Sequence, residues 1–302
     1  MIVEGSLTQG LFGQALTWIL EILPHVDHIG SGLTCRIECP NYGVPPDFDC
    51  LAPYLDHVRP HVGEPVDLHS LVALKQDYGV RFTDFTTPHR LWNRYFAFKP
   101  HVLAEVDAFV KAEFRGTTLG VHYRGCDKMQ GPRREGAPIS YDDMDLIIND
   151  FCAGADHCPE TLFVASDEAD YIRHVMRRFG SEFDVVVRQD SVRNEQSASN
   201  PIFFRGSRGT DADVLGSDAA TIALGLDAIC NALLLSRCDA VLKTSSALSA
   251  WAKILEPNLE IYRVNAFFPT WFPDADIPIY HSDSAEVQEV LGRTLLGEGS
   301  IA

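Results

Sequence analysis

Between residues 117 and 264 short apolar runs alternate with helical stretches, and that alternation restricts the fold of this chain more than any other feature. Residues 117–123, 161–166, 183–188, 239–244 and 259–264 are rich in β-branched and aromatic side chains and read as strands. Residues 141–151, 169–179, 219–235 and 246–255 carry helical spacing between them. Strands that are apolar on both faces and separated by helices imply a parallel, doubly wound α/β sheet. In such sheets ligands sit at the carboxyl ends of the strands. The polar residues that interrupt the apolar runs fall there, at 123–128, 166–168 and 243–246.

The first half opens in a related way. A glycine-punctuated segment at 5–14 leads into an apolar helical run over 15–23 that stops at Pro24, as a strand, glycine loop and helix would. Residues 40–66 are rich in Pro, Gly and Asp and read as long loops, more loop than a compact domain carries without a functional surface. Residues 88–114 read as helical. A chain of 302 residues suits two domains. The expected division is an N-terminal α/β domain over 1–112 and a C-terminal α/β domain over 113–302, whose last ~35 residues could pack back on the first domain.

A formal net charge of −17 argues against nucleic acid as a partner, because such binding begins with a basic footprint. It leaves room for a phosphorylated small ligand held by a few local cations. No apolar stretch is long enough for a membrane span. The first residues lack the basic and apolar regions of a secretory signal, so a cytoplasmic protein is expected, with its eight cysteines reduced.

Arg124 follows His122 by two residues, so both side chains leave the same side of a strand. A guanidinium suits a diphosphate because its planar fork donates two parallel charge-assisted hydrogen bonds. Asp127 and Lys128 come just after; an internal Arg124–Asp127 ion pair holding the loop is an equal reading. Thr244, Ser245 and Ser246 lie between a strand and a helix, where hydroxyls and N–H groups make either an anion site or a plain N-cap. Asp167 and Glu168 close the third strand end; capping the next helix suits Asp167, and holding a ribose or a base is the alternative. Arg133, Arg134, Arg205 and Arg208 stand in glycine-rich loops. Two Asp-x-Asp pairs, Asp211/Asp213 and Asp274/Asp276, read as solvated turn residues, so no metal is expected. Neither a Gly-x4-Gly-Lys-Ser/Thr loop nor a Gly-x-Gly-x-x-Gly follows a strand.

His122-Tyr-Arg-Gly-Cys-Asp127 resembles the His-x-Arg-x-x-Asp motif of the GDP-fucose-dependent fucosyltransferase superfamily, which includes nodulation-factor α-1,6-fucosyltransferases and protein O-fucosyltransferases. The run from Leu233 to Trp251 is similar to that family's helix, strand and serine-led helix, and Phe163–Glu168 to its intervening strand and acidic pair. The likeness covers residues 117–260, roughly half the chain. It implies a GT-B-like fold of two Rossmann-like domains, the acceptor-side domain over 1–112 and the nucleotide-sugar-binding domain over 113–302, and an inverting glycosyltransferase that uses GDP-fucose without metal on a carbohydrate acceptor. Carried over by position, Arg124 binds the β-phosphate, His122 faces guanine and Ser246 holds phosphate. Many members have an Asp where Asn231 stands, so Asp227, one helical turn earlier, is a second candidate for the base. Asp127, Glu4 and Asp84 are all open as the base that activates the acceptor. A transferase for another nucleotide sugar, and a non-catalytic sugar-nucleotide binder, are the alternatives.

Overall fold

The computed structural model describes residues 1–6, 10–38, 49–71, 82–125, 136–154, 158–189, 191, 193, 218–266 and 272–296. Two compact units emerge, one within Met1–Asp107 and Phe203–Cys230, the other within Ala108–Ile202 and Asn231–Ala302.

In the first unit β1 (Ile2–Ser6) leads through a π-helical turn at Leu11–Leu16 into α1 (Thr17–His28). The helix passes through Pro24 instead of stopping there. Proline costs one backbone hydrogen bond, but the apolar face continues beyond it, and Ile22, Leu23 and Val26 are all buried. Next come β2 (Thr34–Glu38), β3 (Leu55–His57) and β4 (Pro65–Asp67). A parallel sheet forms in the order β2-β1-β4.

The stretch read as one helix over 88–114 is divided. It comprises α2 (Thr86–Tyr95), β5 (Phe96–Phe98) and α3 (Pro100–Glu113). Phe96 stacks on Trp92 at 4.6 Å, and the strand pairs antiparallel with β3, Leu55 opposite Phe98. Pro100 then opens α3, a position where its missing N–H costs nothing.

The second unit follows the expected alternation closely. Its elements are β6 (Thr118–Tyr123), α4 (Tyr141–Gly154), β7 (Thr161–Ser166), α5 (Ala169–Phe179) and β8 (Asp184–Val186). Helix α6 (Asp218–Leu235), which belongs to the first unit up to Cys230, precedes β9 (Ala240–Lys243), α7 (Ala247–Leu255), β10 (Glu260–Arg263) and α8 (Ala285–Leu296). All five strands are parallel, in the order β10-β9-β6-β7-β8. The chain builds outward from β6 through β7 to β8, then returns to lay β9 on the other side of β6. The topological switch point therefore lies between β6 and β9, where an open α/β sheet forms its ligand crevice.

Both faces of this sheet are covered, as its unbroken apolar strands require. Leu119, Val121, Leu162, Val164 and Leu242 join Ile147, Ile148, Val175 and Phe179 in one core. On the other face Phe163 meets Phe109 at 5.9 Å and Phe114 at 5.5 Å. Gly120 is needed there: an added Cβ would stand 2.9 Å from Cys238 Sγ and 3.0 Å from Val241 Cγ2. The last helix α8 gives Val287, Val290 and Leu291 to the core of this second unit.

Candidate functional site

The strand register sets the site. Tyr123 lies opposite Ser166, His122 opposite Lys243, and Lys243 opposite Arg263, so the carboxyl ends of β6, β7, β9 and β10 stand level. Alternation puts His122, Lys243 and Arg263 on one face of the sheet, in a row, and all three are buried. Burial pulls the His122 pKa well below the usual histidine value, and the charges of Lys243 and Arg124 push the same way. The imidazole is therefore neutral at neutral pH, and its Nδ1 has no hydrogen-bond partner among the described residues.

Arg124 is the first residue beyond β6. Its backbone N–H donates to Thr244 Oγ1 at 2.7 Å, and the Thr244 N–H donates to the His122 carbonyl at 3.0 Å. The ends of the two switch-point strands are thus tied together. The Arg124 guanidinium pairs with Asp167, and both side chains are largely buried. Asp167 also accepts from the Gly125 N–H at 3.2 Å. The role expected of Asp167, capping the next helix, is not the one it has: Glu168 takes the N-cap position of α5, without a side-chain cap bond. Asp167 instead reaches across to the neighbouring strand end and fixes the direction of the guanidinium. A guanidinium carries five N–H donors, and the contact to Asp167 runs through Nη1.

Glu168 is buried and accepts from the Tyr141 hydroxyl at 2.6 Å. Its carboxylate lies against Gly125, where any Cβ would overlap it. That contact explains why glycine follows Arg124 in this chain.

Thr244, Ser245 and Ser246 do stand at the start of α7, but much of their hydrogen bonding turns inward. The Ser245 N–H donates to Asn265 Oδ1 at 2.7 Å and its hydroxyl to Asp274 Oδ2 at 2.8 Å. The Ser246 N–H donates to Asp274 Oδ1 at 3.2 Å, and Ser246 is the N-cap with no side-chain cap bond. Asp274 is 1% exposed and also pairs with the fully buried Lys243. It is not the solvated turn residue its Pro-rich surroundings indicated. An internal carboxylate already supplies negative charge at the N-terminus of α7, where the helix dipole favours it. Sequence reasoning missed Asp274 because some thirty residues separate it from Lys243. The available signal was Lys243 itself, a lysine closing a buried strand and in need of a counter-charge.

Asp227 and Asn231 lie one turn apart on α6, both half-buried. Asn231 Nδ2 donates to Ser191 Oγ at 3.5 Å. Asp127 and Lys128, with Arg133, Arg134, Arg205, Arg208, Asp211 and Asp213, lie outside the described residues. Of the other residues weighed as a base, Glu4 pairs with Arg36 at the surface, and Asp84 accepts from the Thr87 N–H at 2.7 Å at the start of α2. No helix among the described residues is long and apolar enough to cross a membrane.

No family model matches the chain, and no curated protein matches it. Among solved structures it is similar to the fucosyltransferase NodZ from Bradyrhizobium, at 17% identity and a TM-score of 0.49 over 85% of this chain and 93% of that one. It is also similar to POFUT1 in complex with GDP-fucose, at 8% identity and a TM-score of 0.46 over 87% and 97%. A third likeness, to an Arabidopsis thaliana FUT1 mutant in complex with GDP, has 10% identity and a TM-score of 0.47 over 90% and 72%.

Proposed function

We propose that the chain is an inverting glycosyltransferase of the GT-B type that transfers fucose from GDP-fucose to a carbohydrate acceptor. The observation that carries this reading is the position of Arg124, a cation at the carboxyl end of β6 beside the topological switch point. The motif around it, His122-Tyr-Arg-Gly-Cys-Asp127, supplies the choice of donor.

In this reading Arg124 holds the β-phosphate and stabilises the charge that gathers on GDP as the glycosidic bond breaks. Such stabilisation works best from a donor already in place before reaction, and Asp167 keeps the guanidinium there. Thr244 and Ser245 act as positioning residues, because their hydroxyls are engaged within the protein. The Ser246 hydroxyl and neutral His122 contact the donor, Lys128 adds positive charge, and Asp127 acts with Arg124 in catalysis. Asp227 and Asn231 face the base. No catalytic metal is invoked, since Arg124 supplies the charge that a metal would otherwise bring to the diphosphate.

A second reading, a transferase for a different nucleotide sugar, rests on Asn231. Its amide presents one acceptor and one donor pair where a carboxylate would present acceptors alone. Thermal denaturation with GDP, UDP and GDP-fucose distinguishes the two. The first reading expects stabilisation by GDP and not by UDP, and slow release of fucose from GDP-fucose. Stabilisation by GDP with no turnover on any glycan acceptor would leave a sugar-nucleotide binder instead.

A further inference from the structure

Away from the strand ends, α4 and α5 bring together a second group of titratable side chains. Asp142 and Asp145 stand three apart on α4 and so share a face. His174 reaches them from α5, and one potential ligand atom from each residue lies within 4.8 Å of the others. Asp145 is 7% exposed; its Oδ2 meets His174 Nε2 at 2.7 Å, while its Oδ1 has no partner among the described residues. A buried carboxylate oxygen without a donor is costly and rare. The Tyr171 hydroxyl is another buried atom without a partner among the described residues, and it lies within electrostatic reach of the same carboxylate.

The cleft beside them is mainly acidic, although Arg178 of α5 also acts on Asp145. Asp142 and Asp145 line a surface cleft of about 440 Å³ together with Asp143, Glu286 and Glu289. Arg293 is the one basic residue in the described lining, and it is bonded to Asp143 at 3.0 Å. Clefts lined by one sign of charge concentrate ions of the other.

We propose that Asp142, Asp145 and His174 bind a divalent cation that ties α4 to α5. Two carboxylate oxygens and an imidazole nitrogen form the mixed donor set that takes Zn²⁺ or Mn²⁺. Three ligands at about 2.1 Å require donor atoms roughly 3.5 Å apart, so the ion would replace the 2.7 Å His174–Asp145 hydrogen bond and draw in exposed Asp142 by side-chain rotation. The unpartnered Asp145 oxygen then has its charge partner. Tyr141, at the head of α4, holds Glu168 at the end of β7, so the ion would also stiffen the support behind Gly125.

The test needs no sugar nucleotide, so its failure is separate from failure of the proposed transferase. Chelator-treated protein is titrated with Mn²⁺ by electron paramagnetic resonance and with Co²⁺ by visible absorption. One ion per chain is expected, with no thiolate charge-transfer band. Affinity should fall about tenfold or more in both Asp142→Asn and His174→Gln. Asp142 is exposed, so its variant should keep the metal-free unfolding midpoint of the parent. Absence of binding, a thiolate band, or unchanged affinity in both variants would overturn the proposal.

Discussion

At the scale of single residues the site depends on how Arg124 is held. Its guanidinium is directed by Asp167, its N–H by Thr244, and the following glycine by the Glu168 carboxylate. Asp167→Asn should weaken GDP binding, but less than loss of Arg124 itself, because the cation persists while its direction is lost; calorimetric titration checks this. Gly125→Ala should destabilise the fold by about 1–3 kcal/mol in urea unfolding, since the new methyl displaces a carboxylate fixed by Tyr141. His122 gives a pH dependence. Its folded pKa is lowered, so the unfolded chain binds the proton more readily. Stability should therefore fall as pH drops below the ordinary histidine value of about 6.5, and His122→Gln should make that fall shallower. Arg124 was legible in the sequence because a cation ending an apolar run has few ordinary reasons to be there. Its partner Asp167 was not: Asp127 is the carboxylate that stands near it in sequence, and only the strand order shows that Asp167 reaches across from β7.

At the scale of elements, the alternation of strands and helices was readable because a two-sided buried strand leaves a continuous apolar mark. Helix α5 has the bounds its spacing indicated, and β6, β7, β9 and β10 fall within the apolar runs. Pairings across long distances left no such mark. The start of α7 reads in the sequence as either an anion site or a plain N-cap, yet Asp274 comes to it from another segment and binds Lys243, Ser245 and Ser246 together. Asp274→Asn would leave the Lys243 charge buried without its counter-ion. It should cost about 3–5 kcal/mol in urea unfolding, while Asn at exposed Asp276 should change stability by under about 0.5 kcal/mol. The break within 88–114 was hidden for a related reason, since β5 becomes a strand only by pairing with β3.

At the scale of the whole molecule, a chain of net charge −17 places a small number of cations at the carboxyl edge of one parallel sheet. The second unit carries that edge on a strand order whose reversal falls beside Arg124. The most direct test of this account is calorimetric titration of GDP into the parent protein and Arg124→Ala at one fixed salt concentration. Loss of charge-assisted hydrogen bonds to the diphosphate should cost about 1.5–3 kcal/mol, a fall in affinity of ten- to hundredfold, read well below the unfolding midpoint, which itself drops because Asp167 loses its counter-ion. Equal GDP affinity in the two proteins would contradict the claim that Arg124 grips the donor.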